Sequence, residues 1–299
     1  MTRRRLVVSA DDFGAGAAVN EAVARAHREG ILTNASLMVT GDAVEQAVRL
    51  AHELPALGVG LHLVLAQGRP AAPRQDVTRL VRHDGRFPDA PVSTGFRYAW
   101  LWLSRVGRAQ LRTEIEAQLS VFARTGLRLS HVDGHLNMHL HPMVLPILID
   151  LAPRHGVRAM RLTREPLVRA VRHDGKHVLR RTLEGTVFGA LARFARPRLA
   201  AAGIAAPVRV YGMHQTGEVD EPYVKSLLGD LPDGTSELYC HPSLGSAGAL
   251  ERYQPGYRND GELAALTSPA VRRAAEAAGV ELVSYHALAV APSHSLGTA

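Results

Sequence analysis

The sequence predicts an α/β fold: a distorted or incomplete (β/α) barrel with mostly parallel strands and its active site at the C-terminal ends of the strands. Two observations predict the architecture. Short apolar runs alternate with amphipathic helical stretches from Arg5 to Tyr285, the pattern of a parallel sheet wrapped in helices. About seven or eight such units follow one another, enough for a barrel or near-barrel. A third observation places the site. Successive strands end in titratable side chains, and in these folds the carboxyl ends of the strands carry the chemistry.

The first strand is "RLVVSA" (Arg5–Ala10), ending in Asp11-Asp12. A helix follows from Ala17 to Glu29, closed by Gly30 in the manner of a glycine C-cap. "ILTNASLMV" is a second strand; Asp42 with Glu45 three residues on reads as a capping box opening the next helix. "LGVGLHLVL" (Leu57–Leu65) is a third strand and carries His62. Ala66 to about Ser93 is irregular and rich in Pro and Gly, and loops of that length are functional or mobile. "GFRYAWLWLSR" reads either as a core helix or as an apolar lid for a sugar or lipid, with Trp100 at its centre. A helix at Leu111–Arg124, the strand "RLSHVDG", a helix from Pro142 to His155 and the strand "VRAMRL" come next. After an Arg-rich helical stretch the pattern continues with "VRVYGM", a helix near Tyr223–Leu231, "SELYCHP", a helix across Glu262–Ala278 and "VELVSY". One domain is expected over residues 1–286, with a disordered tail over 287–299.

The chain has 299 residues, 46% hydrophobic and 21% charged, a globular composition. Its single cysteine, Cys240, excludes an internal disulfide framework and fits a reducing compartment. The basic start "MTRRRLVVSADD" has too short an apolar stretch for a signal segment, and no run reaches the roughly 18 apolar residues of a membrane span. The expectation is a cytoplasmic protein. The formal net charge is +7, with much of the excess between Arg154 and Arg198. That segment reads as a solvated face or as one suited to an anionic membrane surface; no nucleic-acid motif or aromatic-interleaved basic groove accompanies it.

Asp11 and Asp12 read as a surface turn or, buried and charged together, as a pair whose repulsion a divalent cation relieves by binding one and leaving the other as a base. "DFG" after them is not a kinase motif, because no Gly-rich loop and no H-R-D loop exist. His62 is the only polar side chain in its apolar strand, which fits a satisfied core residue as well as a ligand. "SHVDGHLNMHLHP" brings four histidines and Asp133 together, donors that suit zinc or a similar first-row ion. His135 and His139 have i, i+4 spacing, but Leu136 stands where a zincin's Glu would be. His241, past the "SELYC" strand, is a turn residue or a general acid. No G-x-S-x-G elbow supports a serine hydrolase.

Together, "SADDFG", "GVGLHL", "HVDGHLNMH" and "ELYCHPS" resemble the YdjC-type carbohydrate deacetylases, and within them the branch associated with hopanoid biosynthesis. The resemblance implies one divalent metal ion (Zn or Mg) and removal of an acetyl group from an N-acetylated sugar. It implies Asp12, His62 and His135 as metal ligands, Asp11 as catalytic base and His241 as its acid partner. Arg161 and Glu165, in "RLTRE", match a rim position that serves substrate or holds neighbours; His139 and Trp100 are further candidate substrate contacts. Where the family often has a second histidine after the Asp-Gly pair, this chain has Asn137. The expected partners are an N-acetylated sugar or glycolipid, peripherally an anionic inner-membrane surface, and a second copy in a homodimer; nucleic acid is not expected. Two rival readings are a metal-free glycosidase, for which adjacent Asp11 and Asp12 do not supply the opposed pair, and a non-catalytic carbohydrate- or lipid-binding protein.

Overall fold

The structure, a computed structural model, describes residues 3–245, 251 and 253–290. At its centre is β1 (Arg4–Phe13), buried along its last eight residues. A parallel strand covered on both faces must be apolar throughout, and "LVVSA" meets that demand. β2 (Asn34–Leu37) and β3 (Gly58–Leu63) extend the sheet on one side, followed by β4 (Leu129–Gly134). On the other side lie β6 (Gly234–Cys240) and then β5 (Arg209–Tyr211). The order β4-β3-β2-β1-β6-β5 is parallel throughout. The two-residue β7 (Glu281–Leu282) pairs with the start of β1. This is the curled half-barrel the alternating pattern predicts.

The segment expected as the strand "VRAMRL" makes only isolated bridges, Val132 to Met160 and Ala159 to Ala205. Its far end reaches β5, where the Val210 amide donates to the Arg164 carbonyl at 3.3 Å. The barrel is therefore spanned, but not closed by a regular ladder, between β4 and β5. Arg161 lies in that gap.

The helices follow the predicted order with shifted boundaries. α1 (Ala17–Glu29) matches. α2 (Val44–Glu53) starts without the expected capping box: the Ala43 amide donates to the Gly14 carbonyl at 2.9 Å, and Asp42 pairs instead with Arg69. "GFRYAWLWLSR" is largely helical, in α3 (Pro91–Leu101). α4 (Arg105–Arg124) begins earlier than Leu111, where Ser104 caps it by accepting from the Gly107 amide at 2.9 Å. α5 (Leu145–His155) follows a 3-10 turn over His135–Leu140. The Arg-rich stretch forms α6 (Leu167–Asp174) and α7 (Val178–Ala201), and α8 (Glu221–Gly229) precedes β6. The single helix expected over Glu262–Ala278 is two, α9 (Asn259–Thr267) and α10 (Pro269–Ala277). Pro269 lacks the amide to continue a helix but suits a first turn, and Ser268 caps the second piece. α11 (Tyr285–Val290) crosses the expected domain end at 286; the rest of the tail, 291–299, lies outside the described residues. Among the described residues no helix is long and apolar enough to cross a membrane.

Candidate active site

In a regular strand Asp11 and Asp12 would point to opposite faces. Here the pairing of β1 with β2 shifts register between Ala10 and Phe13, and Asp12 has φ +62°. A bulge cancels the alternation, and Asp is among the few residues that enter the left-handed region readily. Both carboxylates thus serve one cluster at the carboxyl end of the sheet, and both are buried.

Asp12 Oδ1 lies 3.0 Å from His135 Nδ1 and 3.4 Å from His62 Nε2. His62 turns its other nitrogen to Asp133 Oδ1 at 2.9 Å. Its strand places it beside Asp133, its register partner across β3 and β4. Asp133 Oδ2 in turn accepts from Ser36 at 2.8 Å. Two glutamines complete the ring: Gln254 donates to Asp12 Oδ2 at 2.9 Å, and Gln67 Oε1 lies 3.0 Å from His135 Nε2.

Arg161 is the hub beside it, 1% exposed. Its two terminal nitrogens each meet one oxygen of Asp11 at 2.7 Å, a bidentate pair. The same guanidinium reaches Asp133 at 2.9 Å and Glu237 at 2.9 Å, and stacks on the Tyr239 ring at 4.4 Å. Glu237 also accepts from the Tyr285 hydroxyl at 2.6 Å. His241 Nε2 stands 4.0 Å from Asp11 Oδ2. Its ring meets Tyr239 and Tyr257 edge-on, while its backbone amide is held by the Glu262 carboxylate.

The electrostatics favour positive charge inside the cluster. Burial pushes the His62 imidazole down, but Asp133, Asp12 and Asp11 outweigh it and raise it to about 10. Burial raises the Asp12 carboxyl, yet His135 and His62 bring it well below the usual range. Asp133 is held low in the same way, against burial, by Arg161 and His62. Burial opposes the Arg161 charge, but Asp11, Asp133 and Glu237 raise its pKa well above the ordinary value.

A divalent ion fits Asp12, His62 and His135, whose candidate donor atoms all lie within 4.8 Å of one another. The Asp133 carboxylate behind His62 is the outer support that ligating histidines usually have. A second trio, Asp11, His62 and Asp133, is equally tight, but Arg161 already occupies both Asp11 oxygens and one of Asp133. A cation there would face a guanidinium.

Of the candidate substrate contacts, Arg161, Glu165 and His139 are buried and Trp100 is on the surface. Arg161 is sealed in among carboxylates. Glu165 is buried and accepts from the His214 amide and the Tyr223 hydroxyl, each at 2.8 Å. His139 is fully buried with Nε2 3.0 Å from the Arg161 carbonyl, and burial lowers it to about 4. Trp100 is 68% exposed on α3. Asn137, at φ +56°, accepts from Thr163 at 2.6 Å and takes no part in the trio.

Sequence reasoning missed Glu237, Gln67 and Gln254 as members of the cluster. Glu237 carried a readable signal, a charge inside the apolar "ELYC" strand, the same reason that singled out His62. The glutamines carried none, since both come from irregular segments.

A curled parallel half-barrel sheet with a buried Asp–His cluster at its carboxyl rim, able to hold a metal ion, defines the class: an α/β protein with a candidate active centre. The chain belongs to the family described as YdjC-like protein, whose model matches residues 5–277. A carbohydrate deacetylase of Geobacillus stearothermophilus is 33% identical over 291 residues, covering 94% of this chain and 97% of that protein. One from Mus musculus is also 33% identical, over 94% of this chain and 93% of its own. A Brevibacillus brevis carbohydrate deacetylase is 42% identical, but over 51% of this chain and 57% of that protein. The fold is shared with a solved Enterococcus faecalis protein provisionally assigned to cellobiose-phosphate cleavage, with TM-score 0.71 and 24% identity over 96% of this chain and 99% of that one.

Proposed function

We propose that the protein is a metal-dependent carbohydrate N-deacetylase that hydrolyses the acetamide of an N-acetylated sugar. The observation that carries this is the trio Asp12, His62 and His135 with a second carboxylate, Asp11, set next to it by the β1 bulge. The named relatives support the reaction class. A divalent ion held by that trio would supply an activated water and polarise the acetyl carbonyl. Asp133 fixes the His62 ring so that Nε2 faces the trio. Arg161 fixes Asp11 through the two-point pair, and each Asp11 oxygen keeps lone-pair capacity for a proton. Asp11 is the general base. His241, with Nε2 turned to the Asp11 side, is the acid that hands a proton to the departing amine.

The substrate we assign is the N-acetylglucosaminyl head group of a hopanoid lipid, met by a cytoplasmic enzyme at the inner face of a membrane. The support is the sequence resemblance to that branch and the exposed apolar side chains of α3, with Trp100 among them.

The test is acetate release from an N-acetylglucosaminyl hopanoid and from N,N′-diacetylchitobiose, with and without chelator. Release from the lipid that chelator abolishes is expected. Release from the chitobiose alone would keep the chemistry and discard the lipid; no release from either, with metal bound, would overturn the deacetylase. Asp11→Asn should retain bound metal while activity falls by about 10²–10⁴-fold, the range for loss of a general base. Unchanged turnover would remove that role.

A further inference from the structure

The long irregular stretch after β3 reaches the trio at Gln67. This residue is buried, and its backbone has φ +56°, a left-handed conformation that a long side chain seldom enters. Such outliers persist where the surroundings over-determine them, and they gather at functional sites. Here the chain is gripped on both sides of Gln67 by two fully buried side chains of α4. Gln118 accepts from the Val64 amide at 2.9 Å and donates to the Val64 carbonyl at 2.6 Å. Glu114 accepts from the amides of Ala71 and Ala72 at 2.9 and 3.0 Å. Across the loop, the Gln67 amide donates to the Pro88 carbonyl and the Phe87 amide to the Gly68 carbonyl, both at 3.0 Å.

The side chain of Gln67 is fixed in direction as well. Its Nε2 donates to the Asp89 carbonyl at 2.9 Å. A backbone carbonyl only accepts, so the amide nitrogen faces Asp89 and the oxygen faces the other way. That oxygen, Oε1, lies 3.0 Å from His135 Nε2. An amide oxygen also only accepts, so Nε2 is a ring nitrogen that carries a proton. Nδ1, 3.0 Å from Asp12 Oδ1, is then the nitrogen that can offer a lone pair to an ion. His62 has the opposite arrangement: Asp133 holds its Nδ1, and Nε2 faces Asp12.

We propose that Gln67 is a positioning residue of the metal site: its amide oxygen accepts a hydrogen bond from His135 Nε2, sets the tautomer and tilt of that ring, and so makes Nδ1 the ligand atom. The proposal rests on the metal-dependent reading of the trio and adds to it which atom of His135 binds and what holds that atom in place. Ligating histidines depend on such partners for orientation and affinity. His62 takes its partner from the next strand as a carboxylate. His135 lies on a turn beyond its strand, and its partner is a neutral amide delivered by a clamped loop. The irregular stretch after β3 thereby gains a use: it carries Gln67 to the far side of the His135 ring.

The experiment is zinc binding to the full-length protein, measured by competition with a chromogenic chelator, together with nitrogen NMR of the zinc-loaded, histidine-labelled protein. His135 is expected to bind zinc through Nδ1 and to keep a proton on Nε2; coordination through Nε2 would overturn the proposal without any variant. Gln67→Met, similar in size but lacking the amide, should weaken zinc binding about 10–100-fold while the chelated variant still melts cooperatively. Gln67→Gly, which suits the left-handed backbone, should weaken it as much; wild-type affinity in this variant would move the cause from the side chain to the backbone and overturn the role. Undiminished affinity in Gln67→Met would make the residue an anchor of its loop alone, and would leave the metal-dependent reading standing. Wild-type protein that takes up no zinc would overturn that reading, and this proposal with it.

Discussion

Around Arg161 one guanidinium serves three buried carboxylates, Asp11, Asp133 and Glu237. Removing one partner from such a group leaves uncompensated charge in the interior, at a cost of about 3–5 kcal/mol. Arg161→Met is therefore expected to lower thermal stability sharply, read by calorimetry. Arg161→Lys keeps the charge but not the two-point grip on Asp11; it should fold and bind metal while kcat falls. A Lys variant with full kcat would show that the orientation of Asp11 is not set by this pair. Two histidines outside the trio lose their contribution to stability in acid. Burial holds His139 and His214 each at about 4, below the ordinary value of about 6.5. The unfolded chain then takes up protons first as pH falls. Their contribution is complete above about 6.5 and is lost between there and 4, at up to about 1.4 kcal/mol per pH unit for each group. Chemical denaturation across pH 4–7 should show a less positive slope of stability with pH in His139→Gln than in the parent protein, since Glu114, Glu165 and Glu262, raised by burial, act in the opposite sense in both.

Among the elements, β3 shows how tightly the strands are fitted. A methyl group on Gly60 would come within 2.3 Å of the His131 ring. That ring is stacked on Tyr285 at 4.0 Å and bonded to Ser130 and Ser36, and Tyr285 holds Glu237. Gly60→Ala should thus cost about 1–3 kcal/mol through overpacking and, unlike a simple core clash, disturb the cluster through His131, Tyr285 and Glu237. Reduced metal content alongside the drop in Tm is the expected result; a Tm change with metal content intact would confine the strain to His131. The elements also show where patterning reads well. β1, β3 and α1 were legible because their apolar periodicity is set by burial alone. The break at Ser268-Pro269, absent from the expectation of one helix, is a local signal that the sequence carries, whereas the loss of the α2 capping box was decided by a distant neighbour, the Gly14 carbonyl.

For the whole molecule, the ion would tie together β1, β3 and the turn after β4, which are distant in the chain and adjacent in the sheet. A ligand that binds only the folded state stabilises it by mass action, about 2.7 kcal/mol at a hundredfold excess over Kd. Titrating zinc or magnesium into chelated protein should raise Tm with concentration, and Asp12→Ala should abolish the rise. A rise undiminished by Asp12→Ala would place the ion elsewhere.

The sequence by itself determined the parallel α/β architecture and the order of its elements, because burial imposes the periodicity that marks strands and helices. The trio Asp12, His62 and His135 is legible through the family resemblance, since the residues alone leave His62 open between a core residue and a ligand. Only the tertiary structure decided which carboxylate keeps company with which cation. Arg161 and Glu165, both read as rim residues, are buried braces, because the unclosed gap between β4 and β5 draws the guanidinium inward to Asp11, Asp133 and Glu237. Gln254 reaches Asp12 across 242 residues of chain. Such pairings depend on where the sheet curls and where β1 bulges, and no local pattern of residues encodes that distance.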